Sequence, residues 1–281
     1  MLKMASIGPA GQERPVWIDS DSMQYLPIEA ASWRAILEEG ALASKRGEAE
    51  KAPGSAWSAA TGERLGPPIP NPTKIVAIGL NYRDHAEEQG KSPPERPLLF
   101  AKAPSCLIGC GDAIRIPREE HQADAEAELC VVLGQAAREI EPEAARERIL
   151  GYTILNDVSG REAQYGDRQW FRGKSYDTFG PCGPWIVPAE EIGDPHALGI
   201  RATWNGKTMQ EGNTANLIHG VYDLVSYISR QMTLYPGDLI ATGTPSGVGV
   251  FREPQVFLKP GNIVRIEIDS IGAIENRVEA G

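Results

Sequence analysis

The stretch "DAEAELCVVLG" (residues 124–134) sets two carboxylates, Glu126 and Glu128, at the mouth of a run that reads as a buried strand. Side chains alternate along an extended strand with a period of two, so Glu126, Glu128, Cys130 and Val132 share one face. Leu129, Val131 and Leu133 share the other. Two like charges on one face, entering apolar surroundings, raise each other's pKa and cost stability. A hard divalent cation between them changes that balance, because such ions take carboxylate oxygens. A solvated strand end is the alternative reading of the same residues.

Similar runs recur on both sides: "KIVAIGL" (74–80), "PLLFAK" (97–102), "GYTILNDV" (151–158), "GPWIVP" (183–188), "GIRATWNG" (199–206), "DLIATG" (238–243) and "NIVRIEID" (262–269). Most are short and bounded by Gly, Pro, Asn or Asp, as strands are. Clear helical stretches are fewer, "EPEAARERILG" (141–151) and "ANLIHGVYDLVSYISRQM" (215–232) among them. Many strands with few, unevenly placed helices give an α+β, mainly β architecture rather than a doubly wound sheet. Residues 1–70 differ in texture: "PVWIDSD" (15–21) suggests a strand and "ASWRAILEEGALASKR" (31–46) one amphipathic helix. The proline-dense "GPPIPNPTK" (66–74) opposes helix and sheet interior alike, and reads as a boundary. A small N-terminal α/β domain over 1–70 and a main domain over 71–281 are therefore expected.

Composition narrows the function classes. The 281-residue chain carries a formal net charge of −10 and a sequence pI near 5.0, which argues against general affinity for nucleic acid or anionic membrane surfaces. No segment approaches the ~20 apolar residues needed to cross a bilayer. The opening "MLKMASIGPAGQERP" lacks the apolar run of a secretory signal, so a cytoplasmic location is expected. Cys106, Cys110, Cys130 and Cys182 lack zinc-ligand spacing and read as free thiols in a reducing compartment.

Four segments could carry chemistry. In "GLNYRDHAEEQGK" (79–91), His85 and Glu88 stand three apart and share a face on a helical turn. A carboxylate beside an imidazole orients it and raises its basicity, as suits a general base; a surface histidine near acids is the plainer alternative. "TILNDVSGREAQ" (153–164) presents Asp157 at the end of an apolar run, where it could complete a three-carboxylate site with Glu126 and Glu128 or simply form a turn. In "WFRGKSYDTFGPCGPW" (170–185), Lys174 could balance a developing negative charge or lie in solvent. The Gly-rich "DLIATGTPSGVG" (238–249) could offer backbone N–H groups and the Thr244 hydroxyl to a carboxylate, as anion-binding nests do.

Taken together and in order, "GLNYRDHAEE", "DAEAELCVVLG", "YTILNDVSGREAQ", "RGKSYDTFGPCGPW", "EGNTANLI", "TLYPGDLIATGTPSGVG" and "GNIVRIEIDSIGAIEN" make residues 73–279 resemble the fumarylacetoacetate hydrolase family. The resemblance implies a mixed β-roll catalytic domain, usually a homodimer, with one divalent cation per subunit. It implies Glu126, Glu128 and Asp157 as metal ligands and His85, Glu88 and Lys174 as catalytic residues. Gln164 and Thr244 fall on substrate-side positions, Thr244 on the threonine that binds the substrate's acid group. All-oxygen ligation suits Mg²⁺ or Mn²⁺, with Ca²⁺ also compatible. The implied reaction is hydrolysis of a C–C bond in a 2,4-diketo acid of the acylpyruvate type, giving pyruvate and a carboxylic acid. An oxaloacetate-type decarboxylase and a dienoic oxo-acid isomerase use the same grip on a 2-oxo acid. A non-catalytic metal-binding scaffold is the reading from a different class. Two residues depart from the family's usual pattern, Cys106 and His219. The charged, proline-rich "HAEEQGKSPPERP" (85–97) suggests a lid that orders over substrate and brings His85 and Glu88 into place.

Overall fold

A computed structural model describes all 281 residues. The quoted stretch forms the strand Ala127–Leu133 near the middle of an eleven-stranded mixed sheet. It pairs antiparallel with Ile149–Asn156 on one side and with Leu239–Ala241 on the other. Beyond Leu239–Ala241 the sheet continues to Ile75–Gly79, in parallel, and ends at Leu98–Lys102. In the opposite direction it passes through Gly180–Pro188 to Leu2–Ile7, Arg14–Asp19, Gln24–Pro27 and Ser58–Ala59. A second, five-stranded sheet runs in the order Lys207–Asn213, Gly199–Trp204, Ile263–Ile268, Gly272–Ala280 and Ile114–Ile116.

The expected alternation holds, and both faces of the central strand are covered. Leu129, Val131 and Leu133 share a core with Ile200, Ala202, Ile266 and Ile268 of the second sheet. Leu224, Val225 and Ile228 of the helix Val221–Gln231 close that core. Cys130 and Val132 face the other way, among Trp17, Trp33, Ile36, Leu155 and Ile186. There the Trp17 and Trp33 rings meet edge to face at 5.0 Å, and Trp33 Nε1 donates to the Ala5 carbonyl at 2.7 Å. The N-terminal segment is thus hydrogen-bonded into the main sheet and packed beneath it.

Several elements differ from the sequence reading. The single helix expected over 31–46 is two, Trp33–Glu38 and Leu42–Glu50. Gly40, at φ 67°, takes the left-handed conformation that commonly ends a helix. The helix expected over 215–232 begins only at Val221, because Gly220 is extended (ψ 162°) and Val221 N donates to His196 Nε2 at 2.9 Å. The "EPEAARERILG" helix is short, Pro142–Ala145, followed by a 3₁₀ turn before Ile149 enters its strand. The opening strand Leu2–Ile7 has no counterpart in the sequence reading. All four cysteines are free; Cys106, Cys130 and Cys182 are buried and Cys110 is half-buried. No helix is long and apolar enough to cross a membrane.

The strands around the centre approach closely. A methyl group on Gly151 would lie 2.1 Å from the Val187 carbonyl oxygen and 2.8 Å from Ile186 Cγ2. Gly151→Ala should therefore cost about 1–3 kcal/mol, as overpacking does. Urea unfolding should show a lower midpoint with an unchanged slope. An unaltered midpoint would mean that these strands part freely.

Candidate active site

The register between Ala127–Leu133 and Ile149–Asn156 assembles the acids. Ala127 faces Asn156, and one step further Asp157 N donates to the Glu126 carbonyl at 2.9 Å. Glu126 N in turn donates to Asn156 Oδ1 at 3.1 Å. Carboxylate oxygens of Glu126, Glu128 and Asp157 all lie within 4.8 Å of one another, and all three residues are buried. The solvated strand end is thereby excluded.

Three cations hold this cluster together. Lys174, on the short helix Phe171–Lys174, places Nζ 2.7 Å from Glu126 Oε2 and 2.5 Å from Asp157 Oδ2. Arg161 donates through Nη2 to Asp124 Oδ2 and reaches Glu126 Oε1, each at 2.7 Å. Lys102 Nζ lies 2.7 Å from Asp157 Oδ1, within ion-pair range but not aligned for a hydrogen bond, so that oxygen has no hydrogen-bond partner. Burial works against the charge on Glu126, but Lys174 and Arg161 more than offset it and hold its pKa well below the ordinary range. Burial also opposes the Lys174 ammonium, yet Asp157 and Glu126 keep its pKa raised. Glu128 is different. Burial first, then the charges of Asp157 and Glu126, push its pKa well up; its one hydrogen bond comes from Gly243 N at 2.8 Å.

This donor set fits a hard dication. The converging atoms are all carboxyl oxygens, Asp157 Oδ1 lacks a hydrogen-bond partner, and the surroundings of Glu128 disfavour its charged form, which a cation would favour.

His85 and Glu88 lie on the helix Arg83–Glu88, which follows the strand Ile75–Gly79. His85 Nδ1 is 2.9 Å from Glu88 Oε2, and Gly247 N donates to Glu88 Oε1 at 2.9 Å. Asp84 Oδ2 accepts from Ser246 N and its hydroxyl. The base-type pair is therefore already assembled, which corrects the idea that a lid brings His85 and Glu88 into place. The following segment is tied as well, since His219 Nε2 donates to the Pro94 carbonyl at 3.1 Å.

The Gly-rich turn also requires a correction. Most of its N–H groups are taken by side chains of the protein itself: Gly243, Ser246, Gly247, Gly249 and Val250 donate to Glu128, Asp84, Glu88 and Asp124. The anions bound here are the protein's own. Thr244 Oγ1 accepts from Gln210 Nε2 at 2.7 Å, which leaves its hydroxyl hydrogen to donate elsewhere.

One cavity of about 290 Å³ gathers most of these groups: His85, Glu126, Glu128, Gln164, Lys174 and Thr244 all line it. Glu88 stands behind His85, and Asp157 lies fully buried at the acidic cluster. Phe100, Trp170 and Phe251 supply apolar wall. Gln164 Oε1 accepts from Arg161 Nη1 at 2.9 Å, so its amide N–H₂ remains available. Sequence reasoning missed Lys102, Arg161, Asp124 and Gln210. A lysine ending the apolar run "PLLFAK" was a signal for Lys102. Arg161 lies within "SGREAQ", four residues after Asp157, where a lone arginine carries no local signal.

The raised pKa of Glu128 gives a testable sign. Relative to its ordinary 4.5, the folded carboxyl binds its proton more tightly than the unfolded one. The stability it contributes is therefore present at low pH and lost as pH rises through the folded value. In chelator-treated protein, Glu128→Gln should lack this loss and be at least as stable as the parent at neutral pH. Mg²⁺ should raise the melting temperature of the parent but not of the variant. Thermal unfolding across pH, with and without Mg²⁺, checks both; a Mg²⁺ shift retained in the variant would remove Glu128 from the ligand set.

Known proteins share this architecture. The sequence profile described as fumarylacetoacetate (FAA) hydrolase C-terminal matches residues 74–279. The 2,4-didehydro-3-deoxy-L-rhamnonate hydrolase of Sphingomonas sp. (strain SKA58) is 40% identical over 288 aligned positions, covering 99% of this chain and 96% of that protein. The mitochondrial oxaloacetate tautomerase fahd2 of Xenopus laevis is 47% identical over 213 residues, 75% of this chain and 67% of that one. The crystal structure of 5-carboxymethyl-2-hydroxymuconate delta-isomerase from Mycobacterium smegmatis superposes with a TM-score of 0.80 at 34% identity, covering 99% of both chains. On this evidence the chain is an enzyme-type member of the fumarylacetoacetate hydrolase family.

Proposed function

We propose that this protein is a divalent-metal-dependent hydrolase that cleaves the C3–C4 bond of a 2,4-dioxo acid, releasing pyruvate and a carboxylic acid. The observation that carries the reading is the preassembled His85–Glu88 pair, whose ring opens onto the cavity lined by Glu126 and Glu128. One relative that aligns along nearly the whole chain is the 2,4-didehydro-3-deoxy-L-rhamnonate hydrolase, which supports the hydrolytic reading.

Glu126, Glu128 and Asp157 would hold Mg²⁺ or Mn²⁺, which when bound supplies Lewis-acid stabilisation of a 2-oxo acid. Thr244 donates its hydroxyl to the substrate carboxylate, and Gln164 offers its amide to a substrate oxygen. Glu88 orients His85, and His85 Nε2 takes a proton from a water aimed at C4. The water oxygen bonds to C4, and the C3–C4 electron pair passes to C3 as the bond breaks. Lys174, at the cavity wall, offers positive charge to the adduct. Proton return to C3 completes pyruvate. Residues 1–70 are proposed as an accessory domain against this catalytic region.

A second reading has its own support in the oxaloacetate tautomerase relative. The same grip on a 2-oxo acid then serves proton transfer between carbon and oxygen, with His85 as the carrier and no attacking water.

The two readings separate by product. Acylpyruvates and oxaloacetate, incubated with Mg²⁺ or Mn²⁺, should show pyruvate release from the acylpyruvates in a lactate dehydrogenase assay. Ketonisation of enol oxaloacetate without pyruvate would overturn hydrolysis in favour of tautomerisation. His85→Ala should lower kcat by ~10²-fold or more while keeping its Mg²⁺-induced thermal shift. Asp157→Ala should lose both, and a calorimetric Mg²⁺ affinity equal to the parent's would contradict its assignment.

A further inference from the structure

Gln89 follows the helix that carries His85 and Glu88, and its side chain returns to the ring. Its amide nitrogen lies 2.9 Å from His85 Nε2, and Lys91 Nζ donates to its Oε1 at 2.8 Å. These contacts settle who donates. The Glu88 carboxylate accepts, so His85 Nδ1 carries the hydrogen. A lysine ammonium only donates, so Lys91 holds the amide oxygen and turns the N–H₂ toward the ring. His85 Nε2 is then a bare acceptor, as a base must be. Gln89 and Lys91 both line the same cavity as the acidic cluster. Gln89 thus occupies the one lone pair on which the hydrolytic reading places its water.

We propose that Gln89 is a positioning residue for His85, held in orientation by Lys91. In the free protein its amide keeps the place of the attacking water on Nε2, and it yields that place as substrate enters. The inference rests on the hydrolytic reading for the water, but its geometry can be tested without turnover.

The test uses Gln89→Met, Lys91→Met and the double variant of the full chain. In chelator-treated protein, ¹⁵N NMR of His85 should show a protonated Nδ1 and a hydrogen-bonded, unprotonated Nε2. Gln89→Met should move the Nε2 resonance toward that of a free imine nitrogen. Lys91→Met should move it the same way by less, because the unheld amide rotates. The double variant should match Gln89→Met. With a turned-over dioxo acid and Mg²⁺, Gln89→Met should lower kcat about tenfold and change KM less than twofold. Lys91→Met should lower kcat in the parent but not in the Gln89→Met background. An unmoved Nε2 resonance would overturn the proposal. So would a Lys91→Met effect that raises KM and adds fully to that of Gln89→Met, since Lys91 would then be touching substrate directly. If no dioxo acid is cleaved, the hydrolytic reading fails, and the resonance still decides whether Gln89 holds the ring.

Discussion

Repulsion among three buried carboxylates is the constraint around which this molecule is organised. Two unit charges 4 Å apart interact by about 4 kcal/mol at an effective dielectric near 20, and Glu126, Glu128 and Asp157 lie within reach of one another. Lys174, Lys102 and Arg161 offset that cost from three different elements: a short helix, an edge strand and the segment after Asp157. Buried ion pairs of this kind give little net stability compared with apolar packing. Their arrangement makes sense as a means of holding acids ready for a cation. Glu128, the one acid with no basic side chain hydrogen-bonded to it, is where that readiness is most strained.

Much of this could be read from the residues, because strand alternation is a local signal. "ELCVVLG" displays its two faces in the sequence, and the structure covers both. The proximity of Asp157 to Glu126 could not be read in the same way. It follows from the pairing register of two strands about thirty residues apart, which only the folded sheet sets. The family resemblance supplied that pairing, not the spacing. Arg161 and Lys102 escaped because a lone basic residue beside an apolar run looks like any strand or helix end. The opening strand escaped for a related reason: "LKMASI" is short and carries a buried Lys3, so its place beside Gly180–Pro188 is a tertiary fact. The helix over 31–46 failed at a glycine whose backbone conformation, rather than its hydrophobic pattern, decided the outcome.

The hydrolase and tautomerase readings share their electrostatic centre and differ in what meets His85. On either reading the 2-oxo acid is held at the acidic cluster, two of whose carboxylates, Glu126 and Glu128, line the cavity. What would separate attacking water from direct proton transfer lies on the His85 side of the cavity, which Gln89, Lys91, Phe251 and Trp170 also line. Relatives with different chemistries on one architecture are a natural outcome of that division.

The turn after Leu239–Ala241 has a mechanical meaning beyond its shape. Its amides fasten acids from the base-bearing helix, from the ligand-bearing strand and from the Arg161 pair to one short run of backbone. The helix that bears His85 and the strand that bears Glu128 are consequently fastened to the same turn. The spacing between the imidazole and the acids is therefore set by one short run of backbone, and a change of conformation in that turn would shift both at once.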